Sequence, residues 1–383
     1  MLGININYDK RIYGYDLLRA YAIFRVANGH GGHLLNGTIL ENFPWFVSPS
    51  GVDIFFVLSG FLIAYSFISN ISKSNGNKRL SLAVNFWKRS SLRILPNYYI
   101  ILLINYFLTK TNVDTAHVFE EFPVILFATF TQNLFYPFYD FFWESWSISV
   151  QEWFYLSFPL LLMGFAKCCS LKKSIVYISF IFMAVSVLYR LSIDSQHYDY
   201  FFWDINFKKV VLSRIDSIAF GMMAAWVRFY YEDIWKKYAA YSFVLGIALF
   251  ISILYIPFEL NTLYSNVIFL SITPIAIALG FPLIDKLKNV RSIVGRFISH
   301  ISILSYAIYL VNLLTNHLLN HHFNSIYTNN GIINYFIYWA VTLTASYLLY
   351  IIIEQPIVTY GNQFLHTRKM MSKRAKYKKM KSA

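Results

Sequence analysis

Apolar residues gather along this chain into runs of about 18 to 22, each long enough as a helix to cross a hydrocarbon core. Ten such segments are predicted, over residues 15–37, 52–71, 91–109, 145–166, 174–192, 210–229, 239–257, 263–284, 298–319 and 333–353. The expected fold is an all-α integral membrane bundle of about ten transmembrane helices. No internal repeat, heptad array or low-complexity linker is evident, which counts against transporters built from two related halves. Between the third and fourth segments, the aromatic stretch 122–138 is interrupted by Pro123, Gln132, Asn133 and Pro137. It is expected to be re-entrant or interfacial, because irregular backbone is tolerated at membrane depth only against protein or water.

Composition supports the same picture: 57% of the residues are hydrophobic and only 14% are charged. No cleavable signal is expected, since the first apolar run carries two arginines and lacks a small-residue cleavage site. Cys168 and Cys169 are adjacent and make neither a disulfide framework nor a zinc site. The net charge of +14 raises nucleic acid as a partner, but its placement argues against that. With the N-terminus in the cytoplasm, bases such as Lys10, Arg11, Lys88, Arg89, Lys172, Lys173, Lys236 and Lys237 fall on the inner side. The outer loops hold only Lys110, Lys208 and Lys209, beside acids that include Asp114, Glu144 and Asp204. The expected organisation is a cytoplasmic N-terminus (1–14), a membrane domain (15–357) and a basic cytoplasmic tail (358–383) that touches anionic membrane lipids.

The first segment is unusual in its chemistry, because it carries Asp16, Arg19, Arg25 and His30. Ionisable groups at bilayer depth are costly and by default face a cavity and mark function. Arg19 and His30 project from nearly one helix face, about 16 Å apart along the axis, with Asp16 within about 40° of that face. Arg25 points about 120° away from Arg19. The second segment opens with Asp53 and places Ser59 and Gly60 in its interior. Arg89 and Arg93, four apart on one face, suit bidentate capture of a phosphate or serve as inner anchors. Glu152 in the fourth segment and Arg214 in the sixth are alternatively a structural intramembrane pair. His33 reads as interfacial, and no metal site is expected at His317, His321 and His322, which have no adjacent carboxylate or cysteine. No GxSxG elbow, HExxH or Walker loop is present, so enzymatic chemistry would be acid–base work by histidine with carboxylate support and anion binding by arginine. A thioester donor needs no metal, only a base, an oriented alcohol and oxyanion stabilisation.

These residues sit in blocks that resemble the bacterial membrane acyltransferase-3 family, which O-acylates cell-surface glycans. The family's arginine–ten residues–histidine motif appears as Arg19 to His30, within YDLLRAYAI…NGH. GVDIFFVLSGFLI at 51–63, the RxxxRIxPxYY-like run at 89–99, WSISVQEWFYLSFP at 146–159 and LSYAIYL at 304–310 follow in order, with an IEKP-like element at 353–356. The resemblance implies a ten-helix domain in the bacterial cytoplasmic membrane that takes an acyl group, usually acetyl, from cytoplasmic acyl-CoA to a glycan hydroxyl, with no bound cofactor. It makes His30 and Glu152 catalytic, gives Arg19, Arg89 and Arg93 to acyl-CoA, and gives supporting roles to Asp16, Arg25, Asp53, Ser59, Ser147, Tyr155 and Arg214. His30 is read as general base, with an acyl-histidine route left open. Two positions depart from the family pattern: Gln151 replaces the first glutamate of its block, and Asn312 stands near a usual histidine. Because the chain stops soon after the tenth segment, no fused esterase-like domain is expected. Transfer is then expected within the membrane domain or through a separate extracytoplasmic acyltransferase partner. A transporter or flippase for a charged or glycosidic solute is the competing expectation.

Overall fold

The computed structural model describes residues 11–41, 50–73, 79–111, 123–137, 141–195, 197–288, 292–321, 326–361 and 363. Residues 1–10, His322 and most of the basic tail lie outside that set. Among the described residues the chain is helical, with no strand. Ten helices of sixteen residues or more follow the predicted segments in order: α1 (Tyr13–Gly31), α2 (Gly51–Lys73), α3 (Arg79–Thr111), α4 (Ser145–Phe165), α5 (Leu171–Ser192), α6 (Val211–Tyr230), α7 (Ala239–Tyr255), α8 (Phe269–Ile284), α9 (Ile293–His321) and α10 (Gly331–Leu349). This is a helical membrane protein. Among the described residues, six helices are long and apolar enough to cross a membrane, or seven if Tyr200–Lys208 and Val211–Tyr230, bent by 58°, form one span. The expected count of ten is therefore not reached on length and composition. Three helices fall short for physical reasons. α1 carries Asp16, Arg19 and Arg25, the first half of α4 is rich in Ser, Gln and Glu, and α7 has only 17 residues.

Of the boundaries that differ from expectation, two have a clear local cause. α1 ends at Gly31 and passes into a 3-10 turn over Gly32–Leu35, where successive glycines weaken the helix. α3 begins twelve residues before the predicted segment, because Lys, Arg, Ser and Leu all tolerate a helix. Charge there marks the membrane boundary, not the end of the helix.

Packing centres on α2 and α6, which lie close against each other. Gly60 and Gly221 make this approach: a Cβ at Gly60 would run into the Ile218 carbonyl, and one at Gly221 into that of Val57. Around this seam, Phe56, Phe61, Phe154, Phe158, Ile218 and Met222 form one buried core, and a second gathers around Ile23, Tyr98, Phe127, Ile308 and Leu310. Arg190 of α5 pairs with Asp216 of α6, donates to the Ser213 carbonyl at 2.9 and 2.6 Å, and reaches Ser271 at 3.0 Å. Such a pair is sustained away from water only with most of its hydrogen bonds made.

The stretch 123–137 forms a short helix, Val124–Ala128, followed by irregular backbone with Phe130 at φ 58°. Its Gln132 and Asn133 are buried and hydrogen-bonded. Gln132 donates to Ser145 and Ser149 at 3.0 and 2.7 Å, and Asn133 to the Trp146 and Lys209 carbonyls at 3.0 and 2.6 Å. The irregular backbone thus packs against protein and fixes the start of α4 beside the loop before α6.

Candidate active site

Two cavities of mixed apolar and polar lining lie along α1. The first, about 260 Å³, is lined by Arg19 of α1, Ser59 of α2, Arg93 of α3, Ser147, Gln151 and Tyr155 of α4, and Ser305 and Tyr306 of α9. The second, about 290 Å³, holds Arg25 and His30 of α1, Asp53 of α2, Trp143, Glu144 and Trp146 at the start of α4, Asp204, Lys208 and Lys209, and Arg214 of α6. Val52 and Tyr309 line both cavities and stand where they meet. The Tyr309 hydroxyl is held by Ser147 Oγ at 2.6 Å and by the Glu144 carbonyl, which accepts from it at 3.0 Å. Arg19 and His30, expected on one helix face, thus line different cavities that share Val52 of α2 and Tyr309 of α9.

The imidazole of His30 is oriented by Asn312. The Asn312 amide nitrogen donates to the Ile308 and Tyr309 carbonyls at 2.9 and 2.7 Å, so its oxygen must be the atom that meets His30 Nδ1. An amide oxygen only accepts, which places the proton on Nδ1 and leaves Nε2 with its lone pair. One turn along α9, Asn316 donates to the His30 carbonyl at 3.0 Å. Tyr338 of α10 donates to the Ala27 carbonyl at 3.0 Å. The end of α1 is therefore fixed from two neighbouring helices, with His30 facing a cavity.

The remaining expected residues are distributed unevenly. Asp16 is buried and structural: Arg11 grips it at 2.7 and 2.5 Å, Ser302 and Ser299 donate at 2.9 and 3.2 Å, and Arg19 lies 3.6 Å away. Both Arg89 and Arg93 are exposed, but only Arg93, one turn later, lines the Arg19 cavity. Arg214 pairs with Asp53, not with Glu152, which corrects the structural pairing considered from sequence. Both partners sit in first turns, of α6 and α2, where the helix dipole favours the carboxylate and disfavours the guanidinium. Their pairing offsets that cost and joins the two helices. On α4, Gln151 faces the Arg19 cavity and Glu152, about 100° around the helix, lines neither cavity. Glu152 keeps one carboxylate oxygen without a hydrogen-bond partner.

Sequence reasoning did not single out Tyr309, Glu144, Trp143, Lys208 or Lys209. A signal existed for the two lysines, which break the charge asymmetry of the loops. Tyr309 lies within the LSYAIYL block, but its neighbours come from helices distant in sequence, so spacing alone did not mark it. All five ordered sequence blocks converge on the two cavities: Arg19 and His30, Val52 and Ser59, Arg93, Ser147 and Gln151, and Tyr306 and Tyr309. The acyltransferase-3 profile, described as an acyltransferase domain, matches residues 12–351. The chain belongs to the acyltransferase-3 family. This acyltransferase-3 chain is 29% identical over 173 residues to nodulation protein 10 of Rhizobium leguminosarum bv. viciae, covering 39% of the chain and 43% of that protein. It is 26% identical over 252 residues to the O-acetyltransferase OatA of Staphylococcus aureus, covering 61% of the chain and 38% of that protein. With the peptidoglycan O-acetyltransferase OatA of Listeria monocytogenes it shares 30% identity over 173 residues, covering 41% of the chain and 25% of that protein. The chain spans less than half the length of these curated relatives. No solved structure matches it.

Proposed function

We propose that this protein is a membrane O-acetyltransferase that moves an acetyl group from cytoplasmic acetyl-CoA to a hydroxyl of a cell-envelope glycan. In this reading residues 15–357 are the catalytic membrane domain, and residues 1–14 and 358–383 lie in the cytoplasm of a bacterium, at its inner membrane. The Arg19 cavity is lined by Phe86, Ser90 and Arg93 of α3, and its two guanidiniums, Arg19 and Arg93, suit the phosphates of CoA. The pantetheine arm then runs along α1 toward Tyr309. The acceptor enters the His30 cavity from the other side.

Chemistry follows from the state of His30. Nε2, the free base position, takes the proton of the acceptor hydroxyl as its oxygen attacks the thioester carbonyl. The C–O bond forms, positive charge from the cavity's guanidinium and ammonium groups stabilises the oxyanion, and the C–S bond breaks. The CoA thiolate leaves and recovers the proton from the imidazolium. The products are an O-acetyl glycan and CoA thiol. Donor and acceptor meet, in this reading, where the two cavities share Val52 and Tyr309, whose hydroxyl is bonded to Ser147 and the Glu144 carbonyl.

The observation that carries this reading is the pair of cavities meeting at one tyrosine, with guanidiniums on one side and an oriented imidazole on the other. Mass spectrometry of envelope glycans from cells with and without the gene tests it. An alkali-labile acetyl ester that disappears with the gene is the expected result. A glycan of unchanged acylation but altered export would instead make the protein a transporter.

A further inference from the structure

The cavity that holds His30 is more cationic than a neutral sugar requires. Arg25, Lys208, Lys209 and Arg214 face Asp53, Glu144 and Asp204. The two lysines share a single carboxylate, Asp204, at 3.3 and 2.6 Å. Arg214 gives Nη2 to Asp53, while its Nε and Nη1 have no hydrogen-bond partner, although the side chain is only 3% exposed. Two guanidinium donors withdrawn from water and left without an acceptor are unfavourable, and each can give a charge-assisted hydrogen bond to a carboxylate or phosphate oxygen. The same cavity presents the indoles of Trp143 and Trp146, flat apolar surfaces of the kind that receive the CH face of a pyranose. Lys209 stands 3.7 Å over the Trp143 ring, so an anion held by the lysines would lie beside a sugar packed there.

We propose that the acceptor glycan carries an anionic oxyacid group, a sugar carboxylate or sugar phosphate, which binds between Arg214 and the Lys208–Lys209 pair and brings a neighbouring hydroxyl to His30. The inference rests on the acyltransferase reading for its acceptor, but anion binding can be measured without turnover. Arg214 serves here as a specificity-determining group for the acceptor, and Asp53 holds it in place.

The test is equilibrium binding of glucuronate, glucose 1-phosphate and glucose to the full chain in lipid nanodiscs. A charged sugar is expected to bind about tenfold or more tightly than glucose, as charge-assisted hydrogen bonds would confer. Lys208→Gln with Lys209→Gln is expected to bring the charged sugars to within about twofold of glucose. CoA binding, which belongs to the Arg19 cavity, should stay unchanged and shows that the variant is folded. A preference for glucuronate assigns a carboxylate, and a preference for glucose 1-phosphate assigns a phosphate. Charged sugars that bind no tighter than glucose, or a preference that survives in the double variant, overturn the inference. CoA release from acetyl-CoA separates the two claims. His30-dependent release without charge preference removes the anionic acceptor and keeps the transferase. Charge preference without His30-dependent release removes the transferase and keeps the anion site.

Discussion

Replacing Asn312 by leucine tests whether the orientation of one imidazole sets the rate. The side chain is fully buried and lines neither cavity, so leucine should change no substrate contact. Its amide nitrogen donates to the Ile308 and Tyr309 carbonyls, which belong to the turns of α9 and already serve the helix ladder. Losing those two bonds is therefore inexpensive. The costly loss is the acceptor for His30 Nδ1–H. A buried donor without a partner costs about 1–3 kcal/mol, and the imidazole relieves that by rotating or by moving its proton to Nε2. Either response removes the productive base. At about 1.4 kcal/mol per tenfold, kcat should fall about 5- to 150-fold, with the KM for acetyl-CoA unchanged. Asn312→Asp is the companion variant. It keeps an acceptor for Nδ1–H but sets a carboxylate oxygen against two carbonyls, so its damage should show in protein yield more than in kcat per inserted molecule. Initial rates of CoA release in membranes, normalised to inserted protein, give both parameters. A kcat for Asn312→Leu within about twofold of the parent, or a raised KM at unchanged kcat, would refute the reasoning.

The other variants separate binding, chemistry and folding. Arg93→Ala should raise the KM for acetyl-CoA about 10- to 100-fold, as loss of a charge-assisted contact implies, while Arg89→Ala, off the cavity, should change it less than about threefold; equal effects in a titration of donor would place both arginines in one role. Glu152→Gln should leave kcat within about threefold, because the carboxylate lines neither cavity, and a loss of activity with normal insertion would restore it to the chemistry. Arg190→Ala strands Asp216 in the core and should destabilise the fold by about 3–5 kcal/mol, read as a lower midpoint in thermal unfolding in detergent; an unchanged midpoint would contradict a stabilising role for the pair.

The helical architecture was largely legible because apolar run length is a local property. The ten segments and the ten long helices correspond within a few residues at most ends. Where they differ, the cause is also local: glycines at 31 and 32 stop α1, and a helix-tolerant basic stretch lengthens α3. The site was legible in its residues but not in its partition. Helical geometry put Arg19 and His30 on one face, yet they line separate cavities whose shared residues, Val52 and Tyr309, come from α2 and α9. Partner choice was likewise hidden. Arg214 takes Asp53 rather than Glu152 because α2 and α6 approach through Gly60 and Gly221, a contact that no sequence spacing displays. Asn312 looked like a departure from the family pattern. In the structure it supplies the acceptor that fixes the histidine tautomer.

The central claim is most directly tested by acetyl transfer in vesicles that enclose the envelope glycan and receive labelled acetyl-CoA on the cytoplasmic face. The account predicts that label reaches the glycan with the parent protein, and that His30→Ala abolishes this while inserting to the same level. Label transferred at a comparable rate by His30→Ala would contradict it.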